Sequence, residues 1–184
     1  YILFKPKSFF KKINSERRIK NPFWYYFSLL AFYLFMSFLG YFLLDYTQKG
    51  LLKNLIPIDI PIWAFFLLVL VIVFILSLPF SFVGGFLLHV WLKIFRGKGS
   101  FEDAYKLNVY SNTPTYIFGW IPIIGSFSWV YSLVLLIIGT KEMYKFSTLK
   151  ATLIYIIPTI IILLLMFVIL FFVIFSTPGT TAGF

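Results

Sequence analysis

Few residues in this 184-residue chain could carry enzymatic chemistry, because it contains six Asp and Glu residues, one histidine and no cysteine. Catalysis by side chains needs paired carboxylates, a Ser/His pair or a histidine–carboxylate metal cluster. The lone histidine, His89, has no acidic residue near it in sequence, so we expect an interfacial polar group. The acids that could approach one another are expected to form a structural cluster with two lysines: Glu102, Asp103 and Glu142 with Lys106 and Lys141. We therefore predict no catalytic residue, no metal, no cofactor and no enzymatic activity.

A second group of polar residues lies where a membrane helix should be apolar. Residues 107–140 carry no charge, yet they include Asn108, Ser111, Asn112 and Thr115. The spacing places Asn108, Asn112 and Thr115 on one helical face, with Ser111 on its flank. Lipid would leave these amide and hydroxyl groups unpaired, so the face is expected to turn toward other helices or a watery cavity. Two interpretations stay open: hydrogen bonds between helices, or a wet groove for a polar ligand, an ion or a lipid headgroup.

Prolines and glycines divide this region into a hairpin. Pro122 and Gly125 stand between two apolar runs, which is typical of a tight reversal. We predict one helix over Phe101–Trp120 and a returning helix over Ser126–Tyr144. Pro114 lies inside the first of these helices, where it removes one backbone hydrogen bond and favours a bend.

The composition of the chain requires a membrane. It is 61% hydrophobic and only 12% charged, with a mean hydropathy of +0.95. The apolar residues form unbroken runs near or above the ~20 residues that a membrane-crossing helix needs, rather than the alternating segments of a barrel. We predict an all-α, polytopic protein with five transmembrane helices and a central helical hairpin made of spans 3 and 4. The remaining spans are Phe23–Leu44, a crossing within Ile60–Leu92, and Ala151–Phe175.

The second apolar segment is too long for one straight crossing. Its 33 residues would extend about 50 Å as a helix, against a hydrocarbon core of about 30 Å. Pro79 and the Gly84-Gly85 pair favour a bend, and either one bent helix or a span plus an interfacial helix is compatible with them. Ser77, Ser81 and Gly85 recur every four residues, so their small side chains share a face. This spacing predicts a close-packing seam against a neighbouring helix.

The first 22 residues form a basic arm. Its seven basic residues are Lys5, Lys7, Lys11, Lys12, Arg17, Arg18 and Lys20. Pro6 can open a short helix with Phe9, Phe10 and Ile13 on one face. This helix is either an interfacial element bound to anionic lipid headgroups, at about 1 kcal/mol per basic residue, or a flank that marks the cytoplasmic side. The neighbouring span explains the aromatic residues, so we predict no nucleic-acid partner.

The distribution of positive charge fixes the predicted topology. With the hairpin, 14 Lys and Arg residues lie on one side of the membrane and 2 on the other, whereas one long span would give 11 and 5. The hairpin fits the positive-inside rule better. We therefore predict a cell-membrane protein with a cytoplasmic N-terminus and an outside C-terminus. Its parts are the arm (1–22), a single transmembrane domain (23–175) and a polar tail (176–184).

Several short motifs resemble those of the Yip family of Ypt-interacting proteins. Residues 99–114 read GSFEDAYKLNVYSNTP, in which Tyr110 and Pro114 match the Tyr–x–x–x–Pro pattern of the family's third span. The similarity continues in the turn over residues 121–125, and the opening LFKPKSFFKKI is similar to the lead-in of short prokaryotic members. The other matching residues are Trp129, Ser132, Gly139, Lys141, Glu142, Lys150 and Ala151.

This resemblance implies a five-span protein with a cytoplasmic N-terminus, and it implies no catalytic residues. Eukaryotic Yip proteins take part in early secretory membrane traffic and contact prenylated small GTPases. They carry a longer N-terminal domain that ends in an Asp-Leu-Tyr-Gly-Pro type motif. The residues before Phe23 lack that motif, so GTPase binding is not carried over to this chain.

These features favour a non-enzymatic, membrane-organising or lipid-interacting adaptor, or a scaffold related to membrane traffic. Its expected partners are anionic membrane lipids, a second copy of the chain and a protein at the cytoplasmic face. The alternative is a small transporter or channel for a polar solute, ion or lipid that uses the polar face of span 3. No charged residue lies deep in a span and no inverted repeat is evident, which counts against transport.

Overall fold

The computed structural model describes residues 1–14, 18–44 and 61–176. Arg17, the loop that contains Lys49 and Lys53, and the tail from residue 177 onward lie outside the described residues. The described part of the chain is helical and contains no strand, which confirms the all-α prediction. Its helices are α1 (Pro6–Ile13), α2 (Lys20–Leu44), α3 (Ile62–Ile94), α4 (Phe101–Ser111), α5 (Thr113–Phe118), α6 (Ile124–Tyr144) and α7 (Thr148–Ser176).

Four of these helices, α2, α3, α6 and α7, are long and apolar enough to cross a membrane. The predicted third span is α4 followed by α5, and α6 returns beside both to complete the hairpin. The predicted first limb of the hairpin, Phe101–Trp120, is interrupted at Asn112, two residues before Pro114, where a bend was expected. Pro114 stands in the first turn of α5 and cannot donate a backbone hydrogen bond into α4, which explains the break. The multi-pass architecture itself is confirmed.

The long second segment is a single helix. α3 runs over 33 residues with Pro79 in its interior, so the alternative with a separate interfacial helix is not observed. At 1.5 Å per residue it extends about 50 Å and must tilt or project beyond the hydrocarbon core. At the other edge of the bundle, every residue of α7 from Ile160 to Val173 is exposed, in keeping with a lipid-facing helix.

The helix of the basic arm is docked on the protein. Phe10 is fully buried and Ile13 is nearly so, and the Phe9 ring lies 5.0 Å from the ring of Tyr110. Phe10 rests against Gly139 of α6, where a Cβ would come within 2.8 Å of the phenyl ring. The apolar face that the interfacial interpretation directed toward the membrane is therefore occupied by protein contacts.

A buried lysine of α4, Lys106, binds the C-terminal end of α1. The Lys106 side chain is 1% exposed, and its ammonium lies 2.9 Å from the Asp103 carboxylate. It also donates to the carbonyl of Ile13 at 3.3 Å, near the end of α1, where carbonyls lack helical donors. The expected pair of Asp103 and Lys106 is thus present, whereas Glu142 pairs at 3.8 Å with Lys11 of the arm instead of Lys141.

Replacing Lys106 by Met should release the arm. The change removes a buried ammonium and leaves the Asp103 carboxylate and the Ile13 carbonyl without it, at a cost of about 2 kcal/mol. Local opening of α1 should then become more frequent, and trypsin should cleave after Lys11 and Lys12 at least about tenfold faster. The exposed Lys145→Met is the matched control, and equal cleavage of both variants would contradict the role of Lys106.

Candidate functional site

Two cavities meet at a pair of asparagines in the middle of the third span. The first cavity, of about 340 Å³, lies among α2, α3, α4 and α5, and its polar wall includes Tyr26 and Ser77. The second, of about 500 Å³, lies mainly among α4, α5, α6 and α7, and its wall includes Thr159. Asn108 and Asn112 line both cavities. We call Asn108 and Asn112 the asparagine pair.

Local hydrogen bonds stabilise the helix break that positions this pair. The Thr113 hydroxyl donates at 2.7 Å to the carbonyl of Tyr110, which Pro114 leaves without its helical donor. The Asn112 amide nitrogen donates at 2.8 Å to the carbonyl of Asn108. These side chains replace the backbone donors that the break removes, as buried carbonyls in a membrane require.

The asparagine pair keeps unused hydrogen-bonding capacity. Within residues 1–14, 18–44 and 61–176, Nδ2 of Asn108 and Oδ1 of Asn112 have no hydrogen-bond partner. Both residues are half-buried and line the cavities, so one amide donor and one amide acceptor remain for a ligand. No charged residue is among the described residues that line either cavity.

The other members of the predicted polar face have different roles. The Thr115 hydroxyl lies 2.8 Å from the Ser132 hydroxyl, which links α5 to α6 by a hydrogen bond between helices. Ser111 is buried, lines the second cavity and donates to the Leu107 carbonyl at 2.7 Å. The face therefore has features of both predicted interpretations. Thr115 forms a hydrogen bond between helices, and the asparagine pair lines the cavities.

The small residues of α3 lie against α4. A Cβ on Gly85 would stand 2.9 Å from the Tyr105 ring and 3.1 Å from its Cα, and a Cβ on Gly84 would stand 3.1 Å from the Asn108 amide. Ser81 is buried, with its hydroxyl 3.3 Å from that of Tyr105. Tyr105 is itself fully buried, so a larger side chain at Gly85 could be accommodated only by moving α3 and α4 apart.

The reversal between α5 and α6 also depends on a close backbone approach. A Cβ on Gly125 would lie 2.6 Å from the carbonyl oxygen of Gly119, so a larger residue would push the two helices apart. Pro122 lies exposed within this turn, and Ile123 adopts a positive φ of 47° just before α6.

Three cavity residues escaped the sequence analysis. Tyr26 is 5% exposed and its hydroxyl donates to the Ser77 carbonyl at 3.1 Å, although an aromatic run at the start of a span usually marks the interface. Tyr116 gave no signal because its polarity lies at the tip of an apolar ring. The sequence signal at Thr159 was weak: a hydroxyl directly after Pro158 in a mostly apolar helix.

Positive charge gathers on three adjoining segments, which we call the basic end: the arm, residues 93–98 and residues 145–150. The segments adjoin because α1 packs on α6, Tyr144 lies against Gly97 and Gly99, and Lys150 donates to the Phe95 carbonyl at 2.8 Å. Eleven basic side chains are exposed here: Lys5, Lys7, Lys11, Lys12, Arg18, Lys20, Lys93, Arg96, Lys98, Lys145 and Lys150.

The family model of the Yip1 domain matches residues 1–170 of the chain. The chain belongs to the Yip1 domain family. The resemblance inferred from the short motifs is thereby confirmed, and the matched range includes the arm as well as the asparagine pair. No curated protein and no solved structure matches the chain.

Among the residues that the structure describes in this Yip1-family chain, no group of three His, Cys, Asp or Glu residues could hold a metal ion. His89 is half-buried, and its ring lies 6.3 Å from the ring of Phe101.

Substituting Gly85 by Ala should destabilise the protein by about 1–3 kcal/mol, because the added methyl group enters the space of Tyr105. The expected result is a lower midpoint of thermal unfolding in detergent or nanodiscs. Gly40→Ala is the matched control, since a Cβ at Gly40 meets nothing within 4 Å and Ala favours a helix by up to about 1 kcal/mol. A midpoint for Gly85→Ala at or above that of the control would show that the seam tolerates the methyl group.

Proposed function

We propose that this Yip1-family protein organises membranes by binding anionic lipid headgroups at its basic end. The observation that carries the proposal is the set of eleven exposed basic side chains on three adjoining segments. Each basic residue near an anionic membrane surface contributes about 1 kcal/mol of attraction, so a cluster of this size concentrates anionic lipid around the protein.

The docked arm supports this proposal. Phe10 and Ile13 are used as anchors on the protein, so the lysines of α1 remain exposed and join the other basic segments. Of the described acids near this surface, Asp103 is engaged by Lys106 and Glu142 by Lys11; together with Glu102 they number three against the eleven exposed basic side chains, which leaves a strong excess of positive charge. The positive-inside rule favours a cytoplasmic location for the basic end, with the N-terminus on the same side.

An adaptor of this kind would also bind protein partners. A protein with an acidic surface could use the basic end in competition with lipid, and a second copy could pack through the transmembrane helices. In either case the protein would hold lipids and partners together without catalysing a reaction, as expected of a trafficking-related scaffold.

Neutralising one residue of each basic segment should reduce the preference for anionic lipid. In proteoliposomes at low salt, Arg18→Gln, Lys98→Gln and Lys145→Gln should each lower the association constant of spin-labelled phosphatidylglycerol, relative to phosphatidylcholine, about fivefold. The charge-conserving variants Arg18→Lys, Lys98→Arg and Lys145→Arg are matched controls and should keep the preference. Raising the salt concentration should shrink the difference. Unchanged preference in all three Gln variants would refute the proposal.

A second candidate, transport of a polar solute or ion along the third span, is favoured by the two cavities at the asparagine pair. Their polar walls lie where a membrane helix should be apolar, and Asn112 stands at a helix break, a feature of many transporter sites. The uncharged lining counts against an ion as the transported species.

The accessibility of a cysteine at position 112 distinguishes transport from the membrane-organising function. In this cysteine-free chain, Asn112→Cys should react with the membrane-permeant N-ethylmaleimide but resist a charged, impermeant maleimide, because we expect the cavities to exchange with lipid rather than water. Leu107→Cys, at a fully buried position, is the control and should resist both reagents. Rapid labelling of Asn112→Cys by the charged reagent would instead reveal an aqueous path and favour transport.

A further inference from the structure

We propose that the cavities at the asparagine pair bind an uncharged lipid that carries a free hydroxyl group, such as a diacylglycerol. This site is separate from the basic end and rests on different residues. Its argument has three parts: the hydrogen-bonding pattern of the pair, the absence of charge, and the opening of the second cavity toward the hydrocarbon.

The pair offers one donor and one acceptor in adjoining positions. Nδ2 of Asn108 can donate and Oδ1 of Asn112 can accept, and neither has a partner in the described part of the chain. A hydroxyl group accepts one hydrogen bond while it donates another, so an alcohol matches both kinds of group that the pair leaves open. Away from water, leaving these groups unpaired is costly, which favours occupancy by such a ligand.

The charge of the site restricts the headgroup. The cavities are lined by hydroxyl, amide, aromatic and aliphatic side chains, with no charged residue among those described. A phosphate or ammonium headgroup would therefore lose its hydration without a compensating charge. Asn112 also lies six residues beyond Lys106, the last charged residue before the charge-free stretch of residues 107–140, or about 9 Å along the helix, so we expect it to lie within the hydrocarbon core. Uncharged lipids are the ones that reach this depth at low cost.

The second cavity provides a route and a place for an acyl chain. Among its lining residues, Trp129, Ile162 and Leu163 are 46%, 56% and 50% exposed, so the cavity opens between α6 and α7 on the lipid-facing surface. Leu133 and Leu136 form an apolar wall inside it. Its volume of about 500 Å³ is within the usual range of small-ligand sites.

Photo-cross-linking in phosphatidylcholine proteoliposomes tests the site. The probe is a diacylglycerol with a diazirine in one acyl chain, and unlabelled dioleoylglycerol is the competitor. Wild-type protein should show saturable cross-linking that dioleoylglycerol displaces. Asn108→Leu and Asn112→Leu should each weaken the apparent affinity about fivefold, since each removes one hydrogen bond within the membrane. Asn21→Leu, the same change at an exposed position outside both cavities, should match the wild type.

A cavity-filling variant keeps the test valid if the asparagine variants fail to fold. Leu163→Trp adds bulk at the mouth of the second cavity from an exposed position and should abolish the saturable cross-linking.

Equal competition by O-acetylated dioleoylglycerol would overturn the requirement for a hydroxyl group. Equal competition by phosphatidylglycerol would overturn the requirement for an uncharged headgroup. Displacement by free glycerol would indicate a polar solute instead of a lipid. Cross-linking that is unsaturable, or unchanged in every variant, would overturn the site altogether.

Discussion

The buried ammonium of Lys106 is the constraint on which much of the structure depends. Removing this charge from water costs several kcal/mol unless it is compensated, and the side chain is only 1% exposed. Compensation comes from the Asp103 carboxylate and the carbonyl of Ile13. One partner belongs to α4 and the other to the basic arm, so docking of the arm adds a backbone acceptor for the buried charge. An arm that the sequence alone would allow to move over the membrane surface thereby becomes part of the bundle.

The helix that carries Lys106 is also the one on which the others pack. Residues 104–107 of α4 are all at most 1% exposed, and α4 contacts α2, α3 and α6. Glycines permit this crowding: a Cβ at Gly139 would lie 2.4 Å from Leu107, and one at Gly85 would lie 2.9 Å from Tyr105. Past Asn112 the helix is interrupted, and the cavities lie beside this interruption. Close packing resumes between α5 and α6, where Thr115 meets Ser132 and a Cβ at Gly125 would lie 2.6 Å from the carbonyl oxygen of Gly119.

The sequence could predict features that depend on local signals. The proline and glycine of the turn predicted the hairpin, and the predicted seam residues Ser81 and Gly85 lie against Tyr105 of α4. Ser77, the third residue of the predicted seam, instead lines the first cavity. The docking of the arm could not be predicted, because an apolar helix face fits a lipid surface as well as a protein groove. The groove is formed by Gly139, 129 positions after Phe10 in the chain. A bend at Pro114 was predicted and a cavity at the polar face was one of two open interpretations, but the walls that α2, α3, α6 and α7 contribute could not be predicted because they depend on how several helices lie relative to one another.

The polar residues along α4 and α5 are arranged by the cost of burying them, with charged side chains near the basic end and neutral ones further along. Asp103 and Lys106 stand near the basic end, where each charge can meet a partner and water is close. Asn108 and Asn112 come next and are neutral, and they are followed by the hydroxyl pair of Thr115 and Ser132. This order is the one that hydrocarbon imposes, since an unpaired charge is far more costly at mid-membrane than an amide. Anionic lipid at the basic end and uncharged lipid at the asparagine pair would therefore bind at different depths of the bundle, because charged groups are tolerated only where water is close.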